Sequence, residues 1–460
     1  MKKFLVVLLS LGLIVGFSAT ASAVDVTVSG TFQWEGAYEN NRYQSGSDNK
    51  GYFGGEQSGA AVWTRTRIQP VFKIAEGLTL TVRVDALEKQ WGNSEWRGGA
   101  GTNDYTNSRR QTTPDPTQAT GQKIQESMEF ERSYVTFKTA IGQFDVGYQQ
   151  IGRWGTGFGD DENSGARAKF TTQFGPMAFL VIWDKLYEAD ILRKVDADQD
   201  AYRLAGIYKA GPVEAGLLYN YVVGNYPRLA ASNPYRSRLH SFLPYVKATF
   251  GPVYIESEWA YLTGKAKEYE SPTTLSDVDA KAWFGYVHAK VTLGAAYFGV
   301  QGGYISGDDF QDKTKSTGGI LGSKNWNPTL IMMGDDYLTD IFPGGNAYDA
   351  GHFGSGKYSP AGFTIGNVFG GFNVTPKLNI EGGLSYAKFN ENPRDSAGVE
   401  YVSKNIGVEL DVTATYKIYD NLSYMLGAGY LWAGDAFKGT KENASVGNDY
   451  ILMNRLALSF

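Results

Sequence analysis

The 460-residue chain contains no cysteine, which excludes disulfide stapling, thiol catalysis and any Cys-ligated metal. Histidine is almost as scarce. A catalytic base working near neutral pH would have to be His240, His288 or His352, and none stands in a recognisable His-Ser or paired-acid constellation. The formal net charge of −5 is small for this length and lacks the basic excess that a nucleic-acid partner requires, so none is expected. No Gly-rich stretch sits between a strand and a helix as a phosphate loop must. Neither an enzyme nor a cofactor is expected. Long hydrophobic runs are missing too: only Phe4 to Phe17 is almost wholly apolar, and it is too short for a spanning helix.

That run has a positive flank, Met1-Lys2-Lys3, and is followed by Ala21-Ser22-Ala23, a small-residue cleavage pattern. Residues 1–23 therefore read as a removed secretory signal peptide, with residues 24–460 forming one domain. An exported chain with no helical span either dissolves or crosses a membrane as a closed barrel, because strands left open in hydrocarbon would orphan their backbone groups. What the chain has in plenty favours the barrel. Fifty-seven Gly, 30 Tyr, 25 Phe and 10 Trp accompany a negative mean hydropathy. A barrel wall needs only one apolar residue in two, with aromatic residues at both interfaces.

Strand-like alternation recurs along the whole chain. Ile406, Val408, Leu410, Val412, Ala414, Tyr416 and Ile418 form one face of a segment, while Glu409, Asp411, Thr413, Thr415 and Lys417 form the other. Eight tight turns join such segments in pairs. They fall at Ala75-Glu76-Gly77, Ile141-Gly142-Gln143, Phe174-Gly175-Pro176, Ala210-Gly211-Pro212, Phe250-Gly251-Pro252, Leu293-Gly294, Thr375-Pro376-Lys377 and Tyr419-Asp420-Asn421. Nine longer polar stretches alternate with them, roughly 39–60, 90–126, 152–163, 187–199, 224–237, 264–279, 307–360, 390–402 and 434–448. The expected fold is all-β: a single transmembrane antiparallel barrel of eighteen strands, with short periplasmic turns and long extracellular loops. A soluble sandwich would also alternate, but would not need strands matched in length to a bilayer.

If the apolar faces meet lipid, the polar faces line a lumen. On the early strands its expected cations are Arg65, Arg67, Arg83, Arg132, Arg167, Lys169 and Arg203. On the later strands its expected anions are Glu256, Glu258, Glu381, Glu409 and Asp411. Glu129, Glu131 and Arg132 break strict alternation, and Asp85, Glu214 and Lys247 dilute the pattern. A basic wall facing an acidic one would set a transverse field, which low-dielectric walls focus. The alternative is that these charges only wet the wall.

Several segments resemble known outer-membrane families. The period-2 run that ends at Phe460 is similar to the terminal strand of outer-membrane barrels, where the last aromatic serves the barrel-assembly machinery as an assembly signal. Gly142-Gln143-Phe144-Asp145-Val146-Gly147-Tyr148-Gln149-Gln150 resembles the strand that leads into the constriction loop of general bacterial porins. By that resemblance Gly152 to Asn163, with Arg153, Asp160, Asp161 and Glu162, would be the constriction loop, although it is shorter than the family's. Its carboxylates would face some of Arg65, Arg67, Arg83 and Arg132. Gly303-Tyr304-Ile305-Ser306-Gly307-Asp308-Asp309, with Ile341 to Gly345 and Gly351 to Gly354, is similar to the matching region of eighteen-stranded alginate-export barrels. Those polyuronate exporters have a strongly basic pore, unlike the mixed wall expected here.

Asp308, Asp309 and Asp312, or Asp335 with Asp336, are oxygen ligands that could take a divalent cation. Their spacing is not that of an EF-hand, and Gly-Asp-Asp is equally a turn. Trp91, Trp96, Trp154 and Trp326 could stack on sugars or pack loops together. The expectation is an outer-membrane porin passing small hydrophilic solutes and ions by diffusion, with outer-membrane lipid as its surroundings. The alternatives are a substrate-specific or polysaccharide-export channel whose 307–360 loop acts as a lid, and a structural barrel, adhesin or sheath. A homotrimer and a monomer are both compatible with an apolar outer face.

Overall fold

In a computed structural model of the chain, the structure describes residues 24–40, 58–91, 128–160, 163–189, 196–229, 232–270, 274–308, 311–318, 326–333, 361–394 and 398–460. The signal-peptide reading of 1–23 lies outside them. Eighteen strands make the wall. They are β1 (Asp25–Asn40), β2 (Gly59–Ala75), β3 (Leu78–Gln90), β4 (Met128–Thr139), β5 (Gly142–Gln150) and β6 (Ser164–Phe174). Then come β7 (Met177–Tyr187), β8 (Gln199–Ala210), β9 (Val213–Gly224), β10 (Tyr235–Phe250), β11 (Val253–Tyr269) and β12 (Val278–Leu293). The circuit ends with β13 (Ala296–Ile305), β14 (Phe363–Thr375), β15 (Leu378–Phe389), β16 (Asn405–Tyr419), β17 (Leu422–Ala433) and β18 (Asp449–Ser459).

Each strand pairs antiparallel with its neighbour in the chain, and β18 returns to β1, from Thr31 opposite Ser459 to Asn40 opposite Tyr450. Phe460 and Gly30 exchange two backbone hydrogen bonds of 2.8 and 3.0 Å at the seam, and Arg455 donates to Glu35 across it at 2.7 Å. Closure leaves no edge, which is what lets strands sit in hydrocarbon. A further two-residue ladder, Lys315–Ser316, runs parallel to the start of β12.

All eight tight turns fall where the alternation places them, with two residues between strands. At Gly175, Gly211 and Gly251 φ is +57°, +55° and +57°, and each is followed by a proline. Positive φ at the first central position with a fixed negative φ at the second is what a type II′ hairpin asks for. At residues 140–142 the turn is Ala140-Ile141, and Gly142 already belongs to β5. The irregular Glu129-Glu131-Arg132 pattern has a backbone cause: the β3–β4 ladder slips between Arg83 and Val84, so two residues of β4 face one of β3.

The outward residues decide the environment. Leu204 is 56% exposed, Val300 53% and Leu426 54%, and every sector of the wall shows similar large apolar side chains. In a sandwich such a face would be packed, at about 1.5–3 kcal/mol per side chain withdrawn from water. Here it girdles a closed cylinder. No helix among the described residues is long and apolar enough to cross a membrane. The strands make the crossing.

Candidate functional site: the barrel lumen

On β2 to β8 the inward positions are ionic, and the charges pair along their own wall. Arg67 makes a two-pronged contact with Asp85, at 2.8 and 2.7 Å, and Arg83 stands 3.5 Å from the same carboxylate. Lys169 lies 2.9 Å from Asp145, which also accepts from Thr136 and Gln143. Arg167 and Arg203 share Asp184, which has no exposed surface, at 2.5 and 2.9 Å. Arg132 donates to Ser164 at 3.4 Å, and Arg65 lies on β2 two residues from Arg67 on the same face. These pairs follow from the register: Arg67 lies opposite Asp85, Asp145 opposite Lys169 and Arg167 opposite Asp184, the spacing at which cross-strand side chains meet.

The chain between β5 and β6 folds inward. Arg167 donates to the carbonyls of Gln150 and Ile151, and Arg203 to that of Ile151, so the ionic wall holds the base of this segment. Its far end reaches the inner wall six strands on. The Trp154 indole donates to the Leu243 carbonyl of β10 at 2.9 Å. The Thr156 N–H and hydroxyl both donate to Glu258 of β11 at 2.7 Å. Phe158 stacks on Tyr286 of β12, with ring centres 4.9 Å apart. Short as it is, the segment spans the lumen because it docks at its tip. Asp160 accepts from Gln150 at 2.8 Å and lies 3.8 Å from Arg153; Asp161 and Glu162 lie outside the described residues.

A second segment comes in from the long connection between β13 and β14. Glu409 of β16, fully buried, accepts the backbone N–H groups of Leu330, Ile331 and Met332 at 2.9, 2.6 and 2.8 Å. Asp411, buried beside it, lies next to Leu330. The Trp326 indole donates to Gln301, whose amide donates to Asn367, which donates in turn to Ser385, at 2.9, 3.1 and 2.8 Å. Trp326 meets Phe158 edge-on at 5.2 Å, so the two inward segments touch. Around them Ile331, Met332, Met333, Ile365, Ile406, Ile451 and Met453 form an apolar core inside the barrel. Four of the five expected acids of this side are thus engaged, Glu258 and Glu409 by the segments, Glu256 by the hydroxyls of Tyr254 and Tyr286, and Glu381 by that of Tyr297, whereas the carboxylate oxygens of Asp411 are buried without a donor among the described residues.

The surface is apolar outward, ionic or plugged inward, and closed. The chain folds as a closed β-barrel of the outer-membrane type. No family model and no curated protein matches it. Solved structures similar to it are outer-membrane porins and channels. The OpdK protein of Pseudomonas aeruginosa is 11% identical with a TM-score of 0.47, over 94% of this chain and 99% of that one. The anion-selective porin of Comamonas acidovorans is 11% identical with a TM-score of 0.45, over 95% and 100%. The channel DcaP of Acinetobacter baumannii is 12% identical with a TM-score of 0.44, over 96% and 100%. Values of this size leave function to the barrel's own geometry.

The remaining candidates spread out. His240 lies on the outer face beside Tyr219, 2.8 Å from its hydroxyl, and His288 on the inner wall between Tyr254 and Phe369; His352 lies outside the described residues. Trp91 packs on Trp34 of β1, whereas Trp154 and Trp326 enter the lumen; Trp96 is outside the described residues. Asp308 accepts from Thr317, and Asp312 from Thr314 and Lys315. The Lys315 ammonium, helped by Thr314, holds the Asp312 carboxyl down at about 2. Asp309, Asp335 and Asp336 fall outside the described residues. Among the described residues no three His, Asp or Glu side chains gather as a metal site.

Sequence reading missed Asp145 and Asp184, whose value lies in cross-strand register, and the docking residues Thr156, Phe158, Gln301 and 329–333. A Thr or Met in a loop carries no local sign that its backbone will be received by a wall carboxylate 77 or more positions away.

Proposed function

We propose that this barrel is a passive channel for small hydrophilic solutes and ions. The observation that carries the reading is the β2–β8 wall, a run of inward ionic groups inside a closed apolar cylinder, in which Arg67, Lys169 and Arg203 keep exposed surface while Arg83, Asp85, Arg167 and Asp184 are buried. A wall built only for stability would not set so many charges inward, because pairing charges gains little over apolar packing. Ionic groups do suit a wet passage, where they replace part of a solute's hydration. The tips of both inward segments dock against β10 to β16, so at their level the passage runs along the ionic side, where Arg167 and Arg203 hold the base of the first segment. No energy source is needed.

Selection follows from width and charge. Arg65, Arg67, Arg83, Arg132, Arg167, Lys169 and Arg203 gather on one side of the lumen with Asp85, Asp145 and Asp184 among them, while Glu258 and Glu409 face the segments they hold. The field across the lumen is set mainly by the basic side. Export through residues 1–23, assembly through Phe460 and a homotrimer belong to the same proposal. Purified protein added to a planar bilayer is expected to give steady, ohmic single-channel steps. A protein that stays soluble without detergent, or that inserts without conducting, would overturn the reading.

A further inference from the structure

Between the contact of the two inward segments and the short turns, the inner wall changes character. Two residues from Tyr286 along β12 stands His288, with Tyr254 of β11 on one side at 6.0 Å between ring centres and Phe369 of β14 on the other at 5.5 Å. Tyr297 of β13 continues the band towards the short turns, and Tyr245 of β10 borders it where Trp154 packs edge-on against the wall at 5.2 Å. These positions belong to the lumen-facing set, where β2 to β8 carry ion pairs.

The rings are seated. A Cβ on Gly299 would run into the Phe369 ring, one on Gly371 into that of Tyr297, and one on Gly216 into that of Tyr245. The Phe369 and Tyr297 rings therefore lie between bare backbone of the neighbouring strand and the lumen, while the Tyr245 ring is buried beneath Trp154 of the first inward segment. The hydroxyls are tied down as well: Tyr254 donates to Glu256 at 2.6 Å, Tyr297 to Glu381 at 2.6 Å and Tyr245 to Glu214 at 3.0 Å. Lys290 and Lys247 sit 5.6 and 5.4 Å from the centres of the Tyr297 and Tyr245 rings. A wall that needed only to be wet would hold no such surface. Rings fixed in place bind a flat apolar face without first losing rotamer freedom.

We infer that this band is a stacking track for neutral oligosaccharides. A pyranose has an apolar face for the rings and a rim of hydroxyls that both donate and accept. Carboxylates and ammonium groups alternate beside the rings to meet that rim. Three carboxylates along the band disfavour anionic aromatic solutes. The inference rests on the channel reading and names its solute.

The test uses maltohexaose as probe, in planar bilayers and by titration calorimetry of the detergent-solubilised protein. Reversible, dose-dependent block and a binding heat are expected. Phe369→Leu and Tyr297→Leu, each checked for heat-modifiable migration, should weaken both about fivefold to tenfold. Tyr297→Phe, which keeps the ring, should retain most of the affinity, and the lipid-facing Phe372→Leu all of it. Conductance with neither block nor heat, block unaffected by loss of the rings, or stronger block by benzoate would each overturn the track. Binding heat without conductance would instead sink the channel reading and leave the track standing.

Discussion

The two sides of the lumen solve one problem differently. Both must keep inward polar side chains in contact with something other than hydrocarbon. On β2 to β8 the cations and carboxylates face each other across adjacent strands, and Arg167 and Arg203 reach past Asp184 to carbonyls at the base of the first inward segment. On β10 to β16 the carboxylates project inward and accept backbone N–H groups from chain that has folded into the barrel. Lateral pairing satisfies a buried carboxylate such as Asp184 from within the wall. Inward acceptance recruits a plug, since a buried carboxylate without donors is strongly destabilising.

The largest effect should come from breaking the laterally paired side. Asp184→Ala strands Arg167 and Arg203 together and is expected to lower barrel stability by about 3–5 kcal/mol, read as the urea midpoint of tryptophan fluorescence in vesicles. An unmoved midpoint would mean that the pairs are incidental. On the plugged side, Glu409→Ala removes the acceptor of three N–H groups. It should undock 326–333 at a loss of about 2–4 kcal/mol, raise single-channel conductance and open that segment to protease. Unchanged conductance would show that the segment does not narrow the path.

Thr156→Ala takes one of two bonds from Glu258 and should loosen the other inward segment by about 1–2 kcal/mol, visible as added current noise with little change in mean conductance. The smallest expected effect separates charge from structure: neutralising Arg65, Arg67 and Arg83 should shift ion preference towards cations by about twofold, measured as reversal potential in a salt gradient. No shift would remove the basic side from selection.

Much of the barrel is readable residue by residue. A two-residue period, eight Gly- and Pro-marked turns and an apolar series such as Leu410, Val412 and Ala414 are local facts, and the strand count follows from them. The candidate charges were readable as a set, because the same alternation that sends Leu410 outward sends Glu409 and Asp411 inward. Their partners were not. Asp184 looks like any carboxylate beside Trp183 until the β6–β7 register sets it against Arg167. Glu409 looks like its neighbour Asp411 until residues 330–332 arrive from 77 or more positions away.

What the amino-acid order determined alone was which faces are greasy and where the ribbon turns, because period-2 geometry and the limits on Gly and Pro act within a few residues. The closing of β18 on β1, the sharing of Asp184 and the meeting of Phe158 with Trp326 were decided only by the assembled wall. Those contacts join residues far apart in sequence, and their free energy exists only when burial, register and both partners are present together.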